Sequence, residues 1–197
     1  MWPYEVVATG IVADNSSFSK RHPEIPLETV FDEPRVDIFL KTSGKKYGDL
    51  PLPCDDPLML FNGNNVELYL PSKPTSEQDP ILSMSWEEAF PFFPGIAYVP
   101  AMRGLSTRSY QLLEQGYASL GGRLYDKKEE YGSAVRPSLD GKLFPADCID
   151  ADSVRLVFAE GRADKQPIRN GGLPAYNEQV AAYQLAVRKS ALLAQLP

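Results

Sequence analysis

His22 is the only histidine in the chain, and the two cysteines, Cys54 and Cys148, lie far apart. Together they are all that the sequence offers to nucleophilic or zinc chemistry. A Ser-His-Asp or Cys-His arrangement would have to be built on His22, in "RHPEIP", and no Gly-x-Ser-x-Gly elbow accompanies it. Zinc sites need clustered His and Cys, and none are present. The cysteines have no Cys-x-x-Cys spacing, so we expect two reduced thiols rather than a disulfide scaffold. The phosphate-cradling loops Gly-x-x-x-x-Gly-Lys-Ser/Thr and Gly-x-Gly-x-x-Gly are also missing.

Carboxylates remain. "ADCIDADS" places Asp147, Asp150 and Asp152 close together. Hard cations take several oxygen ligands, but this run lacks the regular acid spacing and closing Glu of a calcium loop. It reads as a solvated acidic turn before a strand. Glu160-Gly161-Arg162 follows the strand-like "SVRLVFAE", with Asp140 or Asp147 upstream. Magnesium-dependent nucleases pair such acids with a Lys two residues after the second one. Here Arg occupies that place, and arginine does not deprotonate in a protein. A charged turn is the plainer reading, and an acid-based nuclease stands as the alternative. The sequence assigns no catalytic, cofactor-binding or metal-ligating residue.

The elements that would position any chemistry point to an α+β fold. "RVDIFLKT" (35–42) alternates apolar and polar residues, as a half-buried strand does. "LMLFNGNNVELYL" (58–70) places two apolar runs around Asn62-Gly63 and predicts a β-hairpin. Residues 4–13 and 153–160 read as further strands, and 95–99 as another. "RLYD" (123–126) reads as a short strand at most, and 127–152 as a charged loop with a short strand at 143–149. Ser85 and Glu88 form a capping box for a short helix that Pro91 should end. A mid-chain helix is predicted over about 106–120, and a long C-terminal helix over about 175–196. The 18 prolines fall mostly before residue 101 and imply Pro-rich loops in the first half. The expectation is therefore a mostly antiparallel sheet in a domain over 1–174, with the helix of 175–196 packed on it or on a neighbouring subunit.

The C-terminal segment carries a second apolar stripe, Leu185, Leu192 and Leu196, opposite its core-facing one. Trp86, Phe92 and Phe93 concentrate aromatic surface in "SWEEAFPFFPGIAY". We take these six residues as an interface. Protein partners, as a homo- or hetero-oligomer, follow from them. A net charge of −6 argues against nucleic acid. The chain shows no signal peptide and no apolar run long enough to span a bilayer. The expected role is a non-enzymatic structural or interaction subunit of a larger assembly, such as a virion component, located in the cytoplasm or within a particle. An acidic, monomeric inhibitor or immunity-type binder is a further alternative.

Overall fold

The computed structural model describes residues 1–133, 142–147, 149–150, 152–159, 161–162 and 164. Among these, nine strands form one antiparallel sheet. β1 (Tyr4–Ile11) lies near its middle, between β2 (Val30–Leu40) and β8 (Arg123–Ser133). Beyond β2 follow β5 (Leu58–Asn62), β6 (Asn65–Tyr69) and β7 (Leu82–Ser85). Beyond β8 follow β10 (Val154–Phe158) and β11 (Gly161–Arg162), while β9 (Leu143–Pro145) pairs with the far end of β8. β3 (Lys46–Tyr47) and β4 (Leu50–Pro51) make a separate two-stranded ribbon.

Alternation decides what each face of the sheet meets. Tyr4, Val6, Ile38, Leu40, Met59, Val66 and Leu68 point to one face and form the main core with Phe93, Ile96, Val99 and Met102. Each such side chain contributes about 1.5–3 kcal/mol when fully buried. The cover comes from α2 (Trp86–Phe92) and α3 (Val99–Ser119). α3 buries Val99, Met102, Ser106 and Tyr110, a spacing of three and four that keeps one stripe on the sheet. Pro100 sits in its first turn, where a missing N–H costs nothing, and Gly121 ends it at φ 79°. The helix thus begins seven residues before the predicted 106. Residues 96–98 form a 3-10 turn that feeds it, not the strand expected over 95–99.

The hairpin of β5 and β6 forms as predicted, but its two-residue loop is Gly63-Asn64 rather than Asn62-Gly63. Gly63 takes φ 58° at the first loop position, where a side chain would be strained. The capping box at Ser85 and Glu88 is present, and Pro91 lies inside the last turn of α2 instead of stopping it.

The largest departure is β8. The charged run expected to be a loop is an eleven-residue strand in the middle of the sheet. Its charges are paired across both faces, and that pairing lets a polar sequence occupy a central position. The segment 175–196, the boundary at 174/175, and Leu185, Leu192 and Leu196 lie outside the described residues.

Gly10 marks a close approach. A Cβ there would lie 2.0 Å from the Tyr110 hydroxyl, which donates to the Leu124 carbonyl at 2.5 Å. Gly10→Ala should therefore destabilise the fold by about 1–3 kcal/mol through overpacking. Urea unfolding of the variant against wild type measures this, and an unchanged midpoint would show that Tyr110 can move.

Candidate functional site

The sheet face opposite α3 is polar and holds a cleft of about 160 Å³. Four segments build it. β1 supplies Val7 and Thr9, β8 supplies Asp126 and Lys128, and α1 (Ser17–Arg21) contributes its N-terminal end with Ser16, Ser17 and Phe18. The fourth segment brings Asp152, Ser153 and Arg155 at the start of β10, with Arg162 and Asp164 beyond it.

Local sequence explains each placement. Ser16 caps α1: its Oγ accepts from the Ser19 N–H at 2.9 Å and donates to the Ala13 carbonyl at 2.9 Å. Asp150 folds the turn before β10, where its carboxylate accepts from the N–H groups of Asp152 (2.8 Å) and Ser153 (3.1 Å). The acid cluster read from "ADCIDADS" therefore spends Asp150 on its own backbone and turns Asp152 into the cleft. The β8–β10 register skips Tyr125, so that Arg155 faces Asp126 and Leu156 faces Leu124. This bulge keeps Leu124 in the cluster beneath α3 while Asp126 enters the cleft.

The cleft pairs its charges. Arg155 Nη1 lies 2.6 Å from Asp126 Oδ2, Lys128 Nζ 3.3 Å from Glu5 Oε2, and Arg162 Nη2 2.8 Å from Asp164 Oδ2. Glu130, one pleat along, holds Lys41. Burial pushes Glu5 above the usual carboxylate range, and Lys128 partly offsets this. Burial alone would lower Lys128, but the charges of Glu5, Asp152 and Glu130 outweigh it and hold the ammonium form up. The result is a site of fixed cations interleaved with acids. It suits a small molecule that carries anionic groups and an amine. Among the described residues no three His, Cys, Asp or Glu side chains are placed to hold a metal ion.

Of the residues singled out from sequence, Asp152 and Arg162 line the cleft and the others described lie elsewhere. His22 is a surface residue that contacts Glu24 at 3.2 Å and the Phe18 ring at 4.5 Å. Phe93 is fully buried in the main core, whereas Trp86 and Phe92 are 38% and 37% exposed. Cys54 is a half-buried free thiol. Asp147 is exposed, and Asp140, Cys148 and Glu160 lie outside the described residues. Lys128, Asp126 and Arg155 were not singled out. The signal that would have found them is the alternation of Asp126, Lys128 and Glu130 within a run dismissed as loop.

No family model matches the chain. It is 32% identical over 174 residues to a phosphoribosylaminoimidazole-succinocarboxamide synthase of Herpetosiphon aurantiacus. That match covers 86% of this chain and 54% of the relative, so the chain spans about half the length of the synthase. Among solved structures, a SAICAR synthetase in complex with ADP superposes with a TM-score of 0.61 at 20% identity, over 93% of this chain and 62% of that one. A structural-genomics SAICAR synthetase gives 0.65 at 17% identity, over 100% of this chain and 71% of that one. The chain shares their fold, which is broadly α+β.

These likenesses overturn the expectation of a structural subunit or virion component. The relatives that match are synthases, and the polar cleft is a feature that an inert shell subunit does not need. The nuclease and immunity-type alternatives, and the particle location, fall with it. No helix among the described residues is long and apolar enough to cross a membrane.

Proposed function

We propose that this chain carries the substrate cleft of a phosphoribosylaminoimidazole-succinocarboxamide synthase. The observation that carries this reading is the 32% identity running through 86% of the chain, β8 and β10 included. The name of the relatives describes a product in which an amide joins an aminoimidazole ring to a succinate unit. Such an amide forms from a ring carboxylate and the amine of aspartate. The carboxylate must first be activated, and the ADP bound to one of the similar structures fits a nucleoside triphosphate in that role.

The cleft supports this chemistry. In this reading Lys128 and Arg155 hold the phosphate and carboxylates of the two substrates, and charge-assisted bonds of this kind are the strong ones. Asp126 and Asp152 offer acceptors to the incoming amine. No residue of the chain is assigned to the nucleotide, since no glycine-rich phosphate loop occurs in it.

The test combines turnover with binding. The purified chain is incubated with the carboxylated aminoimidazole ribonucleotide, aspartate and magnesium ATP, and ADP and the succinocarboxamide product are followed by mass. Product that requires all three reactants establishes the activity. Calorimetric binding of the imidazole ribonucleotide without product keeps the cleft and removes the claim that this chain alone completes the reaction. The absence of both product and binding rejects the proposal.

A further inference from the structure

A second groove lies along the β5–β6 hairpin and draws on both faces of the sheet: Leu60, Glu67 and Tyr69 come from the cleft's face, and Phe61, Trp86, Val99 and Arg103 from the face that α2 and α3 cover. β2 and β5 pair only at Ile38–Met59 and Phe39–Leu58. Beyond that point β2 continues along β1 and β5 continues along β6, so the sheet opens into a fork. A groove of about 770 Å³ lies along β5 past that pairing, a volume typical of small-molecule sites. Leu60, Phe61, Trp86 and Val99 give it apolar walls. The Phe61 and Trp86 rings lie 5.8 Å apart at 60°, and Trp86 is 38% exposed.

Two charges face this space. The Arg103 guanidinium lies 5.9 Å from the Phe61 ring centre and makes no hydrogen bond or ion pair among the described residues. Burial lowers its pKa, and the charge of nearby Asp37 only partly offsets this. The nearby Asp37 is already held by Arg21. Glu67 lines the same groove, is 9% exposed and accepts from the Tyr69 hydroxyl at 2.8 Å. Arg103 and Glu67 do not pair with each other.

We propose that this groove binds a small zwitterion with an aromatic ring, of the aromatic amino acid class. The carboxylate would meet Arg103, the ammonium Glu67, and the ring Trp86 and Phe61. The charge arrangement selects this ligand. A simple anion would satisfy Arg103 but be repelled by Glu67, and a simple cation would satisfy Glu67 but be repelled by Arg103. Both are costly in a groove with apolar walls. This site is independent of the cleft built on Lys128 and Arg155, so its failure says nothing about the proposed reaction.

The experiment titrates L-phenylalanine into the full chain by calorimetry, with tryptophan fluorescence as a second readout. Saturable binding is expected. Phenylpropionate, which lacks the amine, and phenethylamine, which lacks the carboxylate, should each bind at least about tenfold more weakly. Arg103→Met should lose about tenfold or more in affinity, while Arg103→Lys, which keeps a cation in the groove, should retain most of it. Phe61→Leu should also weaken binding and shows whether the ring wall contributes. Absence of saturable binding overturns the proposal. So does equal affinity for all three probes, or an Arg103→Met variant that is folded by circular dichroism and binds like wild type.

Discussion

Lys127→Ala is expected to lower folding stability by about 3–5 kcal/mol, the usual loss when one partner of a buried ion pair is removed. The Lys127 side chain is fully buried, and its Nζ lies 2.5 Å from Glu129 Oε2 and 3.3 Å from Ser106 Oγ. Glu129 accepts in turn from Ser109 at 2.9 Å and from the Tyr131 hydroxyl. Removing the lysine leaves a carboxylate under α3 with hydroxyl partners and no counter-charge. The double variant Lys127→Met, Glu129→Leu removes both charges and should recover most of the loss. Denaturant unfolding of the two variants measures this, and a double variant no more stable than the single one would show that the network is worth more than its desolvation. The pair also sets a pH dependence. Burial holds Lys127 below its ordinary value of 10.5. Between that depressed pKa and 10.5 the unfolded chain binds more protons than the folded one, so this group's contribution to stability rises with pH across the window. The stability of wild type relative to the double variant should accordingly rise as pH climbs towards 10.5.

Lys128→Met, one residue along, should do the reverse: little to stability and much to function. Its side chain is 30% exposed and its pair with Glu5, at 3.3 Å, is partly open to water, so the structural loss is about 0–1 kcal/mol. If Lys128 holds an anionic group of the substrate where charge develops, kcat/KM for amide formation should fall about 100-fold or more. Lys128→Arg should recover part of it. Steady-state kinetics beside a melting curve separates the outcomes. A variant with near wild-type kcat/KM would remove Lys128 from the site, and one that melts with the Lys127→Ala protein would make it structural. Adjacent lysines with opposite sensitivities are what a strand with two different faces predicts.

The same strand explains what was and was not legible in the sequence. Residues 35–42, 58–70 and 153–160 betray themselves because one face is apolar and the other polar, and the period of two shows. The mid-chain helix showed through the spacing of Tyr110, Leu113 and Tyr117, although its first turns, with Pro100 and Gly104, did not look helical. In "LYDKKEEYG" the period is present, but Lys127 and Glu129 on the buried face are as charged as Lys128 and Glu130 on the cleft face. Hydropathy cannot distinguish them, because the criterion for burial here is a partner 89 or 123 residues away or on α3, not apolarity. Glu130 meets Lys41 and Lys128 meets Glu5. The site was missed with the strand that carries it. Asp152 was noticed as part of an acidic cluster, but its neighbours in space come from the other end of the chain, and no local spacing announces them.

The charge of β8 also bears on how the sheet assembles. β1 pairs with β2 across some 35 residues, but its other edge waits for β8, where Glu5 meets Glu130. Until then "YEVVATGI" presents an open, β-branched edge of the kind that recruits other chains. The segment that finally closes this edge cannot do the same. Stacked in register with copies of itself, "DKKEE" would set Lys127 on Lys127 and Glu129 on Glu129, with no dry, neutral surface to zip. It gains from strand pairing only against β1 and β10, with Lys41 and the serines of α3 beside it, where every charge finds its opposite or a hydroxyl. The last strand to enter the centre of the sheet is thus the one least able to aggregate, and substitutions that make it more conventionally apolar would trade away solubility during folding even where they leave the finished protein more stable.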